Sequence, residues 1–413
     1  MILAAEWVLP IAEAPIHRGL VAIEDGIVRG TGSWPDAASP PDGSVALGRV
    51  AVLPALVNAH THLELSHLHG RIPPGPGFHA WVRALMALRR SDPHRDGPPV
   101  VAAAAQAIAD ARACGTGLVG DVSNTLASVP LLRQAGMPAQ VFYELIGFNT
   151  PDPAGQVAAA RARIDEAGTD AHDVRVSLAP HAPYSVSPAL FAAIREDLDA
   201  HPAALATVHL AESADELELL RAGTGSARDT LVELGAWSED WEPPGGSPVE
   251  YLAALGLLDR RVLVVHGVQL DGADLERLRA AGATIVSCPR SNRHVGVGAP
   301  PLEAFYAVGV DVAFGTDSLA SVEDLNLFSE LAEARRLAPR VTARTLLRSA
   351  TLAGAHALGV DGSFGTIEAG RRAALIAVRV PDGVSDVEEY LVSGIRPDDV
   401  SWPRTGLART PHA

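Results

Sequence analysis

The chain has 413 residues, 47% hydrophobic and 20% charged, which is enough length for a large core or two domains. A formal net charge of −16 and a pI near 5.3 leave no basic footprint for a phosphate backbone, so no nucleic-acid partner is expected. No apolar run approaches a membrane span, no basic-then-apolar leader opens the chain, and Cys114 and Cys288 form neither a disulfide framework nor a Cys-x-x-Cys knuckle, so a cytoplasmic protein with no membrane partner is expected.

All 33 basic residues are arginine. The absence of lysine excludes a Schiff-base lysine, a phosphate-loop lysine and a carboxylated lysine bridging two metals.

Residues 1–50 hold short strands broken by Gly26, Gly30 and Gly32 and by a Pro/Asp/Gly loop at 35–43. The apolar run Val50–Val57 reads as one strand that runs on into His60-Thr61-His62. Positions i and i+2 of a strand share a face, so the two imidazoles project together and can hold a divalent transition metal. Seven further strand-like runs follow: 117–121, 139–145, 174–178, 206–210, 262–266, 283–287 and 310–314. Helical patterns lie between most of them, at 100–114, 154–167, 188–200, 211–222, 272–281 and 323–337. Eight alternating units in about 260 residues match an α/β fold of the (β/α)8 TIM-barrel kind. The last strand, Ala373–Val380, lies outside that pattern. Neither chain end has apolar area for its own core, so 1–50 and 362–413 are expected to pair as one small β-sandwich domain beside a barrel spanning 51–361. The stretch Gly223–Val249 is too long for a turn and reads either as a lid or as a solvated insertion.

Barrel chemistry sits at the C-terminal strand ends. The fourth strand runs into Pro180-His181-Ala182-Pro183-Tyr184, the fifth ends in His209-Leu210-Ala211-Glu212, the sixth in His266-Gly267 and the eighth in Gly315-Thr316-Asp317-Ser318. One such histidine would read as a polar residue satisfied in a loop. A set of them at matching positions, together with His60 and His62, points to a site.

These stretches resemble the amidohydrolase superfamily, in its deaminase and chlorohydrolase branch. The likeness begins at Val57-Asn58-Ala59-His60-Thr61-His62-Leu63-Glu64 and continues through Cys288-Pro289-Arg290-Ser291-Asn292 to Gly365-Thr366-Ile367-Glu368-Ala369-Gly370-Arg371, covering nearly the whole chain. It departs at Arg372-Ala373-Ala374-Leu375, where the family usually has Ala-Asp-Leu. The resemblance implies that His60, His62, His209 and Asp317 bind one divalent ion, Zn²⁺ first and Fe²⁺ as the alternative. Three imidazoles, one carboxylate and no thiolate suit either. The missing lysine favours one ion over a bridged pair.

The resemblance further implies Glu212 as general acid/base, Asp317 as a second hold on the attacking water, and His266 as the group that orients water or polarises substrate. Glu212 also reads as a first-turn charge on the helix that follows. Substrate contacts are expected from His181, Tyr184, Glu64 and Glu144, with a buried ion pair as the other reading of Glu144. Arg290 and Asn292 either reach substrate or merely form a turn. His67 and His69 read as loop residues, and His17, His94, His172, His201 and His412 as surface residues.

The resulting expectation is a hydrolase of non-peptide C–N bonds that deaminates an aminopurine nucleoside. The Leu63-Glu64-Leu65-Ser66 continuation most resembles the aminodeoxyfutalosine deaminases. Amide, carbamate or C–Cl hydrolysis is the second reading, and a metal-free scaffold the third. A small-molecule substrate and, as an option, a homodimer complete it.

Overall fold

The N-terminal strands β1 (Ile2–Val8), β2 (Ile16–Glu24) and β3 (Ile27–Ser33) lead to β4 (Val45–Pro54), and there the sequence reading needs correction. Val50–Val57 is not one strand. The chain breaks after Pro54, and β5 (Leu56–Thr61) belongs to a different sheet. Proline offers no N–H to a ladder. The next N–H, of Ala55, turns to Ala374 O at 2.9 Å, while that of Leu56 goes to Gly115 O at 2.9 Å. The computed structural model describes residues 1–405 except 36–37, 76, 92–93, 95 and 169–172. His172 and His412 therefore lie outside the described residues; His17, His94 and His201 are exposed, as expected.

After β5 come β6 (Thr116–Ser123), β7 (Ala139–Leu145), β8 (Val174–Pro180), β9 (Ala206–Leu210), β10 (Val262–His266), β11 (Thr284–Ser287) and β12 (Asp311–Phe314). They form two parallel four-stranded sheets, β5-β6-β7-β8 and β9-β10-β11-β12. Backbone hydrogen bonds span both seams: Asp317 N–H donates to His60 O at 3.1 Å, and His209 N–H to His181 O at 2.9 Å. The fold is a TIM-type α/β barrel. Val57, Leu118, Phe142, Val265 and Ala313 are among the residues of its inner core.

The barrel helices follow from local chemistry. In Pro188–Ala200 the N-cap Ser187 accepts the N–H of Leu190, proline takes the first position, and Leu190, Phe191, Ile194 and Leu198 line the buried face. Gly272–Ala281 starts on Asp271, which accepts two N–H groups, and stops at left-handed Gly282. The helix expected at 323–337 begins only at Leu327, because Asn326 caps it.

The chain ends with β13 (Leu375–Arg379) and β14 (Val400–Ser401). Both ends of the chain share one six-stranded sheet of order β14-β13-β4-β1-β2-β3. The expected sandwich is met to that extent: the ends pair, in a single sheet. β4 runs four residues past position 50, carrying the chain from this sheet into the barrel. At the departure noted in sequence, Arg372 bonds Asp173 at 2.7 Å.

The 223–249 stretch is anchored at one part and solvated at another, with Glu239, Asp240 and residues 242–245 exposed. It contains the helix Ser226–Glu233, whose Ala227 and Leu231 are buried in a cluster with Phe78, Trp81, Phe148 and Tyr184. Trp237 stacks on Phe148 with ring centroids 5.7 Å apart. The helix Phe78–Ser91, which sequence patterning did not reveal, supplies part of the same cluster. Among the described residues no helix is long and apolar enough to cross a membrane.

Gly315, just after β12, packs against β5 so closely that a Cβ would lie 2.7 Å from both His60 Cβ and His60 O. The Gly315→Ala variant should therefore lose about 1–3 kcal/mol in urea unfolding, whereas Gly30→Ala, where a Cβ meets nothing within 4 Å, should stay within about 0.5 kcal/mol of the parent.

Candidate active site

The barrel's C-terminal rim gathers the sequence-predicted residues. Ring-nitrogen atoms of His60, His62 and His209 all lie within 4.8 Å of one another. Asp317 Oδ1 is 3.5 Å from His62 Nε2 and 3.8 Å from His60 Nε2. Both nitrogens of His60 are buried with no hydrogen-bond partner, which is costly unless an ion takes a lone pair. Burial, with mutual repulsion among the rings, holds His60 well below its usual range and brings His62 and His209 down to about 3. The three imidazoles are therefore neutral at pH 7, the form that binds a metal.

The hydrogen bonds assign ring protons. His209 Nδ1 donates to His181 O at 3.0 Å, leaving Nε2 with its lone pair. Glu144, His181 and His209 form a second set within 4.8 Å. In that set His209 faces Glu144 through Nδ1, at 3.7 Å. Since Nδ1 carries the proton, this set orients His209 rather than offering a second ion site. Glu144 Oε2 accepts Asn124 Nδ2 at 2.9 Å, and Asn124 Oδ1 accepts Arg89 Nη2 at 2.8 Å. The partner of Glu144 is thus Asn124, with Arg89 one step behind. His181 Nδ1 shares a hydrogen bond with Ser185 Oγ at 2.6 Å, and its ring lies 5.6 Å from that of Tyr184. Burial brings His181 down to about 4.

Glu212 is buried beside His266, with Oε1 at 3.6 Å from His266 Nε2. Burial, then the charges of Asp317 and Glu216, push its carboxyl well above the usual range. It is not a first-turn helix charge: the helix begins at Ala214 with Ser213 as N-cap. His266 Nδ1 donates to Asn292 Oδ1 at 2.8 Å, so Asn292 positions a ring. Asp317 Oδ2 accepts Ser291 Oγ at 2.5 Å and Ser321 Oγ at 3.2 Å. Ser291 and Asn292 sit on the helix Pro289–Val295, where the sequence suggested a turn. Arg290 is taken up by Glu323, Asp324 and Glu330, away from any substrate role.

Glu64 is engaged by protein donors. Its Oε1 accepts from Ser123 Oγ, Thr125 Oγ1 and the N–H groups of Thr125 and Ala127; its Oε2 accepts Asn124 N–H at 3.0 Å. Little acceptor capacity remains for a ligand. His67 and His69 lie in and just after the short 3₁₀ turn Leu63–Leu68, apart from the cluster.

Three strand ends carry unusual backbone. Ala211 (φ 51°), His266 (φ 73°) and Asp317 (φ 60°) are left-handed without being glycine. Such residues cost on the order of 1–3 kcal/mol each and gather where function fixes side-chain direction.

Fold and site together define a metal-dependent hydrolase. The chain belongs to the amidohydrolase family, whose model matches residues 51–395. It is 35% identical over 340 residues to an aminodeoxyfutalosine deaminase of Deinococcus radiodurans, covering 79% of this chain and 76% of that one. It is 29% identical over 408 residues to a 5-methylthioadenosine/S-adenosylhomocysteine deaminase of Moorella thermoacetica, covering 95% and 90%. A crystal structure of a Xanthomonas campestris adenosine deaminase with bound zinc superposes with a TM-score of 0.82 at 28% identity, over 98% and 91% of the two chains. The protein is a metal-dependent hydrolytic deaminase, and the scaffold reading falls away.

Glu330 Oε2 accepts the N–H of Arg290 at 3.1 Å, and burial pushes its carboxyl from 4.5 up to about 8. Between those values the folded protein holds a proton that the unfolded chain releases, so this group's contribution to stability is lost as pH rises toward 8. Relative to the parent, Glu330→Gln should gain on the order of 3 kcal/mol between pH 5 and pH 8.5, read from urea unfolding at each pH; a pH-independent difference would contradict the assignment.

Proposed function

We propose that the protein deaminates the adenine ring of a nucleoside bearing a large 5′ group, aminodeoxyfutalosine first, using one divalent ion held by His60, His62, His209 and Asp317. The observation that carries this reading is the convergence of three neutral imidazoles on one point, with both nitrogens of buried His60 unpartnered beside Asp317. That donor set fits Zn²⁺ ahead of Fe²⁺. When bound, the ion supplies Lewis acidity toward water and substrate.

The chain's own residues move the protons. Glu212 takes one proton from the attacking water and delivers it to the ring nitrogen beside the attacked carbon. It then takes the second proton from the oxygen now bound to that carbon, as the C=O bond forms and the C–N bond breaks, and passes it to the amine, which leaves as ammonia. Burial raises its carboxyl, which suits the steps in which it gives a proton up. His266, fixed through Asn292, presents Nε2 toward Glu212 and the water. Asp317, fixed through Ser291 and Ser321, keeps Oδ1 toward the ligand histidines. His181 and Tyr184 face the base, and the aromatic cluster above them keeps bulk water from it. The His181 carbonyl orients His209 with Glu144 Oε1 3.7 Å from the same ring nitrogen, and Glu64 anchors the 123–127 loop in place of a substrate contact. The same reading divides the chain into a barrel of 51–361 and a β-domain of 1–50 with 362–413, and makes the protein cytoplasmic, with a small-molecule substrate.

Purified protein should release ammonia, with a shift in ultraviolet absorbance, from aminodeoxyfutalosine in preference to methylthioadenosine, adenosylhomocysteine and adenosine. No turnover of any of the four would sink the proposal. Glu212→Gln should retain about one equivalent of metal yet lose on the order of 1,000-fold in kcat, as checked by elemental analysis and ammonia release on the same samples.

A further inference from the structure

We infer that Glu216 is the positioning residue for Glu212, an inference that rests on the deaminase reading above. Glu216 is fully buried, on the first turn of the helix Ala214–Ala222. Its backbone N–H bonds the N-cap Ser213 at 3.3 Å. An ordinary capping box would send its carboxylate back to the N–H of that N-cap residue. Here the side chain reaches further. Oε1 accepts the N–H of Ala211 and Oε2 the N–H of Glu212, both at 3.0 Å. Both oxygens of one carboxyl group therefore grip two successive amides of the segment joining His209 to the helix.

That segment needs a grip. Ala211 is left-handed at φ 51°, a conformation an alanine leaves unless the surroundings hold it. Its carbonyl is held from the other side by Gln269 N–H at 2.8 Å. Glu212 is the next residue, so any relaxation of Ala211 swings its side chain away from His266. A displacement of about 1 Å at a reacting group can cost roughly 100-fold in rate. The Glu216 carboxyl bonds two backbone amides, so it acts through the segment that aims Glu212.

The test is a double-mutant cycle with Glu216→Gln and Glu212→Gln, made in the full-length, metal-loaded protein. The glutamine keeps size and shape but offers one acceptor oxygen, and its NH₂ group opposes the second amide. Glu216→Gln alone should lower kcat by about 10- to 100-fold, with KM changed less than about threefold and metal content unchanged. In the Glu212→Gln background the same change should alter kcat less than about twofold, because nothing is left to aim. Equal losses in both backgrounds, or unchanged kcat in Glu216→Gln alone, would overturn the inference. Hydrogen exchange of the 210–213 segment needs no turnover: it should speed up by at least tenfold in Glu216→Gln. Unchanged exchange would overturn the clamp whichever nucleosides prove to be substrates. Faster exchange with no deamination by the parent protein would instead count against the deaminase reading.

Discussion

The catalytic face depends on buried carboxyl groups that accept backbone N–H groups of the segments above the strands. Asp121 on β6 takes the N–H of Leu63, just beyond the His60/His62 pair. Glu64, from that same turn, takes three N–H groups of the 124–127 loop beyond β6. Glu216 holds the loop after β9, and Glu330 the first turn of the helix Pro289–Val295 after β11. Loops at a barrel mouth have no neighbouring strand to satisfy their amides. Burying a carboxyl group there exchanges a desolvation cost for fixed loop geometry. The cost is visible in Asp121, Glu216 and Glu330, all pushed by burial up to about 8.

With loops fixed, the strand ends can hold unfavourable conformations and an unfavourable charge arrangement. Ala211, His266 and Asp317 stay left-handed because both sides of each are bonded into the barrel. His60, His62, His181, His209 and His266 crowd together, with ring centroids as close as 4.8 Å. Protonated, such a cluster would repel itself; burial keeps it neutral and therefore ready to bind a cation. The carboxyl of Glu212 is raised by burial too, so imidazoles without protons stand beside a carboxyl able to carry one.

The cap adds the third condition. Phe78, Trp81, Phe148 and Tyr184 form a separate apolar cluster with Ala227 and Leu231 of the 223–249 stretch, and it meets the site where the Tyr184 ring lies 5.6 Å from that of His181. It gathers large aromatic rings in a chain with only 5% aromatic residues. Apolar packing beside the histidine cluster lowers the local dielectric, which strengthens the charge effects already described.

Much of this was legible in the sequence, because it follows from local rules. Strand-to-helix alternation specified the barrel, and His60-Thr61-His62, His209, Glu212, His266 and Asp317 were readable as strand-end residues. Even Ser213 and Glu216 show the Ser-x-x-Glu spacing of a helix start, though not how far the glutamate reaches. What stayed hidden depends on contacts between distant segments. Nothing local tells that Pro54 passes the chain from one sheet to another, that Glu64 is filled by a neighbouring loop, or that Phe78–Ser91 packs against Tyr184. His60 and Asp317 stand 257 positions apart, and only closure of the barrel, with Asp317 N–H on His60 O, makes them neighbours. The sequence by itself determined the residue types of the site and the strands that carry them, since backbone periodicity is local. The tertiary structure decided which carboxylates face the chemistry and which hold loops, because that depends on which unpaired amide each one meets.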